Sequence, residues 1–261
     1  MHYICRGDAK IEVIMDKLKN PPVAVALFQL KYKGGDISLK DFIKFDHILK
    51  ETLPNRRDNI HVGLNFAGTS IPLGKSQLSA TSDAKIEAYI YQSVDQKTRL
   101  ELSEGTITYI DEHKYEGWDS FKENFFKYIK TLDEILNKVL INRLSLRFIN
   151  KFTLPNINKP QDYFNIVVSS ANAINLPYPL SNYGFRLNMS IPNSDIYSIV
   201  NQNIEGMGGD KYLYTLDIDV LDNQNLSFDL QTISNNIDNL RNIKNRIFED
   251  AITDKTKELC N

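Results

Sequence analysis

Twice along this chain the apolar residues change their spacing, from every second position to every third or fourth. A two-residue period puts one strand face into a core and the other toward water, whereas a period near 3.6 makes a helical stripe. The first change comes after Tyr115: Trp118, Phe121, Phe125, Ile129, Leu132, Ile135 or Leu136, and Val139 predict one helix of more than about five turns. The second comes near the end. Leu230, Ile233, Ile237, Leu240, Ile243 or Lys244, Ile247 and Ala251 predict a closing helix of about 25 residues.

Alternating segments fill the space before each helix. PPVAVALFQLKYKGG, after Asn20, reads as a strand closed by Gly34 and Gly35. Ser38 then caps a short helix through Leu49, stopped before Pro54. Ile60 to Phe66 and Lys85 to Val94 alternate, and Arg99 to Ile110 reads as a hairpin around Ser103, Glu104 and Gly105. Asn142 to Leu154 is again a strand. The second half follows a similar order. Tyr163 to Ser169, Tyr183 to Ile191 and Lys211 to Leu221 read as strands, with a short helix predicted at DIYSIV. The expected fold is α+β, with two similar half-units, each an antiparallel sheet carrying one long amphipathic helix on a face. The expected boundaries are an N-terminal extension at 1–20, a first unit at 21–155 and a second at 156–261, packed as one body. The Asn- and Pro-rich LPNINKPQD, residues 154–162, marks the join.

Composition narrows the function classes. The 261 residues carry 31 Lys plus Arg against 33 Asp plus Glu, a formal charge of -2, which argues against a bulk polyanion binder. A hydrophobic fraction of 42% suits a folded chain rather than a disordered one. No apolar run approaches a membrane span, and the acidic residues Asp8, Glu12 and Asp16 argue against a secretory signal, so a cytoplasmic location is expected. Cys5 and Cys260 lie near opposite ends, and such sparse cysteine suits reducing conditions. His2, His47, His61 and His113 show no ligand spacing to one another or to cysteine. No metal, cofactor or catalytic residue is therefore expected.

Several stretches imitate known motifs. GTSIPLGKS, residues 68–76, has five residues where a phosphate-binding P-loop needs four, and Pro72 removes one donor. GMGGD, residues 206–210, leads into a strand rather than a helix, so it fails as a dinucleotide loop. The best polar constellation is elsewhere. In NRLSLRFIN, Arg143, Ser145 and Arg147 share one strand face, and in LDIDVLD so do Asp217 and Asp219. With Arg186, the arginines could grip a phosphate or carboxylate; the paired aspartates suit a divalent ion. The plainer expectation is that they pair with Asp217, Asp219 or Glu101 as structural ion pairs across a sheet.

NPPVAVALFQLKY, the Tyr115, Gly117, Trp118 and Phe121 entry to the first long helix, RLSLRFINKFTLP from Arg143 to Pro155, YTLDIDV, and RIFEDAIT from Arg246 to Thr253 occur in that order. As a set they resemble a sporadically distributed family of uncharacterised prokaryotic proteins of about this length. The resemblance implies an α+β fold and the patchy distribution seen among toxin–antitoxin and phage-defence genes, and brings no catalytic residues. The expected function is a non-catalytic binding protein, a partner or sensor component of such a system, acting on a protein encoded nearby or on itself. The alternatives are an enzyme or sensor for a phosphorylated or nucleotide ligand at Arg143, Arg147, Arg186, Asp217 and Asp219, and a nucleic-acid binder using lysine-bearing helices.

Overall fold

The computed structural model describes residues 18–68, 78–154, 162–165, 182–206 and 211–261, with the side chains of all of these except 61–68 and 78–84. Its strands are β1 (Val23–Lys33), β2 (Asn55–Gly68), β3 (Leu78–Gln92), β4 (Thr98–Ser103), β5 (Thr106–Asp111), β6 (Leu140–Leu154), β7 (Asn182–Ser190), β8 (Ile196–Gly206), β9 (Tyr212–Asp222) and β10 (Leu226–Ser227). All ten belong to one sheet, in the order β2-β3-β4-β5-β1-β6-β9-β8-β7, with β10 added beside β6. Every strand pairing is antiparallel.

This corrects the expected pair of half-unit sheets. Within the expected first unit, Val23 to Lys33 of β1 pair with Asn150 down to Leu140 of β6. On its other edge β6 pairs with β9 from Leu144↔Asp222 to Leu154↔Tyr212. A strand with both edges occupied by long ladders leaves no gap at which a sheet could end. Strand pairing thus crosses the boundary expected at residue 155.

The helices are α1 (Leu39–Phe42), α2 (Asp46–Leu49), α3 (Trp118–Thr131), α4 (Asp133–Leu136), α5 (Leu230–Ala251) and α6 (Asp254–Leu259). The one long helix is α5; the expected first long helix is not continuous. It stops at Thr131, and Leu132, with φ -92° and ψ 1°, turns the chain into the single turn of α4. Leu132, Leu136 and Val139 are nonetheless buried. Spacing reported their burial correctly but not the break in hydrogen bonding between them. Asp133 and Glu134 sit in the first turn of α4, where the helix dipole favours acidic side chains. The Ser38 helix is also interrupted, by a 3₁₀ turn at Ile43–Phe45, although Asp41 does accept from the Ser38 backbone N–H and hydroxyl at 3.0 and 2.9 Å. DIYSIV is not a helix but the start of β8. Asn193, at φ 59°, makes the turn, and Ile191 N–H bonds back to Ile196 O. Of the segment read as a strand from Tyr163, Phe164 bridges Ile252; residues 166–169 lie outside the described residues.

One transverse row explains the core. Tyr91, Leu100, Tyr109, Phe28, Leu146, Val220, Ser198 and Met189 lie side by side across eight strands on one face. The two larger helices pack on that face. Phe125 and Phe121 of α3 meet Phe28 and Tyr109 with ring centroids 3.8 and 5.6 Å apart, and Phe248 of α5 stacks on Phe152. Each such fully buried side chain contributes about 1.5–3 kcal/mol. The helices are tied to each other by Asp238 of α5, which accepts from Trp118 Nε1 at 2.9 Å and from Lys122 Nζ at 2.7 Å.

Candidate functional site

The opposite face carries the polar constellation. Its central row runs Glu101, Thr108, Gln29, Ser145, Leu221 and Tyr197, and a neighbouring row places Arg147 beside Asp219. Alternation alone puts these residues here, because each lies one position from a core residue of its strand. All five residues singled out from sequence are on this face, but they form pairs rather than an open claw.

Arg147 does not meet Asp219, its direct neighbour. It reaches diagonally to Asp217, with Nε to Oδ1 and Nη2 to Oδ2 both at 2.8 Å. Asn201 of β8 adds a third donor to Asp217 Oδ2 at 3.0 Å. The arginine lies over the carboxylate: their side chains are 38% and 8% exposed. This pairing raises the guanidinium's affinity for its proton further. Asp219 is held differently, by the Ser145 hydroxyl at 2.6 Å, and burial pushes its carboxyl above the usual carboxylate range. Arg143 Nη2 donates to Gln29 Oε1 at 2.5 Å, and Gln29 passes the chain on to Thr108 at 3.1 Å. Arg186 stands apart on the exposed strand β7, reaching only Asn188, at 3.4 Å, among the described residues.

The chemistry follows from these distances. The Nε and Nη2 fork of Arg147 is taken, so a phosphate using that fork would have to displace Asp217. The two aspartates are engaged by different donors, and among the described residues no group of three or more His, Cys, Asp or Glu side chains is placed to hold a metal ion. The GTSIPLGKS and GMGGD loops fall mostly outside the described residues, each joining antiparallel neighbours. Cys260 is a buried free thiol, and Cys5 lies outside the described residues. No helix among the described residues is long and apolar enough to cross a membrane.

Sequence reading missed a second cluster, at the end of β5 on the helix-bearing face. His113 Nδ1 meets Asp111 Oδ1 at 2.7 Å and Nε2 meets Asp95 Oδ2 at 2.8 Å. A neutral imidazole has one N–H and can donate to only one carboxylate, so this double contact requires the imidazolium. Although burial opposes it, hydrogen bonding to Asp111 and then Asp95 raises the histidine pKa. Asp95 is pushed down to about 2, chiefly by the Ser93 hydroxyl at 2.5 Å. The Asp111-x-His113 spacing was the available signal, since positions two apart on an extended chain share a face.

Fold and charges together define an α+β protein with a single antiparallel sheet, its large helices on one side and a mutually neutralised polar face on the other. No protein-family model, curated protein or solved structure matches this chain.

Proposed function

We propose that this is a non-catalytic binding protein that holds a protein partner against the polar face of its sheet. What carries the reading is the pairing of Arg147, Asp217 and Asn201 with Ser145 and Asp219. It fixes charged side chains in one arrangement before any partner arrives, so little side-chain entropy remains to be lost on docking. A rigid, hydrogen-bonded sheet surface rimmed by exposed Arg186 and Asn188 suits recognition by shape and polar matching. A cytoplasmic setting rests on the sparse cysteine and the acidic start of the chain, and a partner encoded nearby, in a toxin–antitoxin or phage-defence system, on the resemblance of the five sequence segments alone. Self-association through the same face is the second form of the proposal.

Native purification with the neighbouring gene products, read by intact-complex mass spectrometry, tests it. A stoichiometric partner or a dimer is expected. Arg186→Glu, on this face, should release it with the melting temperature unchanged, whereas Glu258→Lys, exposed on α6, should not. A monomer without protein partner, or a partner lost only with Glu258→Lys, overturns the assignment.

A further inference from the structure

Between α3 and the ends of β1, β4 and β5 lies a cavity of about 290 Å³. It is on the helix-bearing side of the sheet, away from the polar face. Its origin is residue size. The sheet row beneath it is Ala26, Asp111 and Thr98, and the helix above it presents Ser120 and Asn124, one turn apart, where the rest of the contact is Phe against Phe or Tyr. Short side chains on both surfaces leave a space that the neighbouring aromatic rings fill elsewhere.

The walls combine opposite charges with aromatic rings. Asp111 is fixed at Oδ1 by the backbone N–H and the ring of His113, at 2.9 and 2.7 Å, while among the described residues Oδ2 has only the Tyr109 hydroxyl at 3.4 Å. One oxygen of a rigidly placed carboxylate is thus underused. The Asp95, His113 and Asp111 array is net acidic, Lys114 at the mouth is basic and Glu116 beside it is acidic. Among the described residues the side chains of Lys114, Glu116, Ser120 and Asn124 make no hydrogen bond to another residue. Tyr109, Tyr115, Phe121 and Tyr128 supply the apolar surface.

We infer that this cavity is a binding site for a small zwitterion, an α-amino acid, with its ammonium on Asp111, its carboxylate toward Lys114 and its side chain among the rings. A simple anion would meet the net acidic Asp95, His113 and Asp111 array, whereas an α-amino acid offers its ammonium to Asp111 and its carboxylate to Lys114. The volume lies at the low end for small-molecule sites, which suits one amino acid rather than a nucleotide. Aromatic walls around an ammonium add a cation–π attraction.

The full chain contains one tryptophan, Trp118, and it adjoins Gly117 and packs on Phe121, both in the lining. Its emission therefore reports the site. The purified protein is titrated with each common α-amino acid, by Trp118 fluorescence and by calorimetry. Saturable binding of one or a few is expected, with the matching amine and the matching deaminated acid weaker by about tenfold or more. Ser120→Leu, which fills the roof with a good helix former, should abolish binding without lowering the melting temperature. Asp111→Asn should weaken it at least as much as removing the ligand's amine does. No binding up to millimolar concentration, an amine that binds as tightly as the amino acid, or retained affinity in folded Ser120→Leu overturns the inference.

Discussion

Two aspartates two positions apart on the same face of β9 are in opposite energetic situations. Asp217 is matched by the Arg147 fork, so Asp217→Asn removes a buried carboxylate from beneath a partly exposed arginine and should cost about 1–2 kcal/mol. Asp219 is buried against its own charge, and its raised pKa means that the fold disfavours the ionised form. Asp219→Asn keeps an oxygen for the Ser145 hydroxyl and discards that charge, so its stability should stay within about 0.5 kcal/mol of the parent or rise. Urea unfolding of the two variants at neutral pH checks the contrast; equal losses would remove it. His113 supplies the pH dependence. Its folded pKa lies above the usual value of about 6.5, so its contribution is complete below that value and is lost as pH rises through the folded pKa. Facing it are Asp95, Asp111 and the basic Lys114, with the Arg99 and Glu112 pair alongside. The ring is partly exposed, so the loss should be about 1 kcal/mol or less. Melting curves from about pH 6 to about pH 9 should fall more steeply for the parent than for His113→Gln.

At the scale of elements, α5 anchors the second half of the sheet. Phe248 is fully buried against Phe152, and Phe248→Ala should cost about 3–5 kcal/mol by chemical denaturation. A loss under about 1 kcal/mol would mean that the helix seats elsewhere. This helix was legible because apolar residues recur at helical spacing from Ile233 to Ala251, even though Lys244 and Asn245 are buried among them. So were β6 and β9, whose alternation also showed which charged residues share a face. The break at Leu132 was not legible, since buried apolar residues continue through it at helical spacing. Nor was β8: Ile196, Ser198 and Val200 alternate inward, but six residues are too few to separate a strand from a helical turn. Of the two clusters, the arginine and aspartate face could be read from local alternation. The His113 and Asp95 contact could not, because a turn with Gln96 at φ 62° brings the two together from different strands.

At the scale of the whole molecule, strand order was the hidden quantity. No residue of β6 announces that its second neighbour is β9, and that one pairing turns two expected sheets into one. Unfolding should accordingly be a single transition, with calorimetric and van't Hoff enthalpies in agreement. Two resolved transitions would mean that the halves hold together only loosely. The pairing of β1 with β6 has its own consequence for synthesis on the ribosome. β1 emerges early and gains β5 on one edge, but its other edge waits for a strand more than a hundred residues further along the chain. Until Leu140–Leu154 is made, the nascent chain displays an unpaired strand of Val, Ala, Leu and Phe, the kind of edge that recruits other chains. Translation speed between those two strands, and whatever chaperone shields the waiting edge, would therefore set the yield of folded protein.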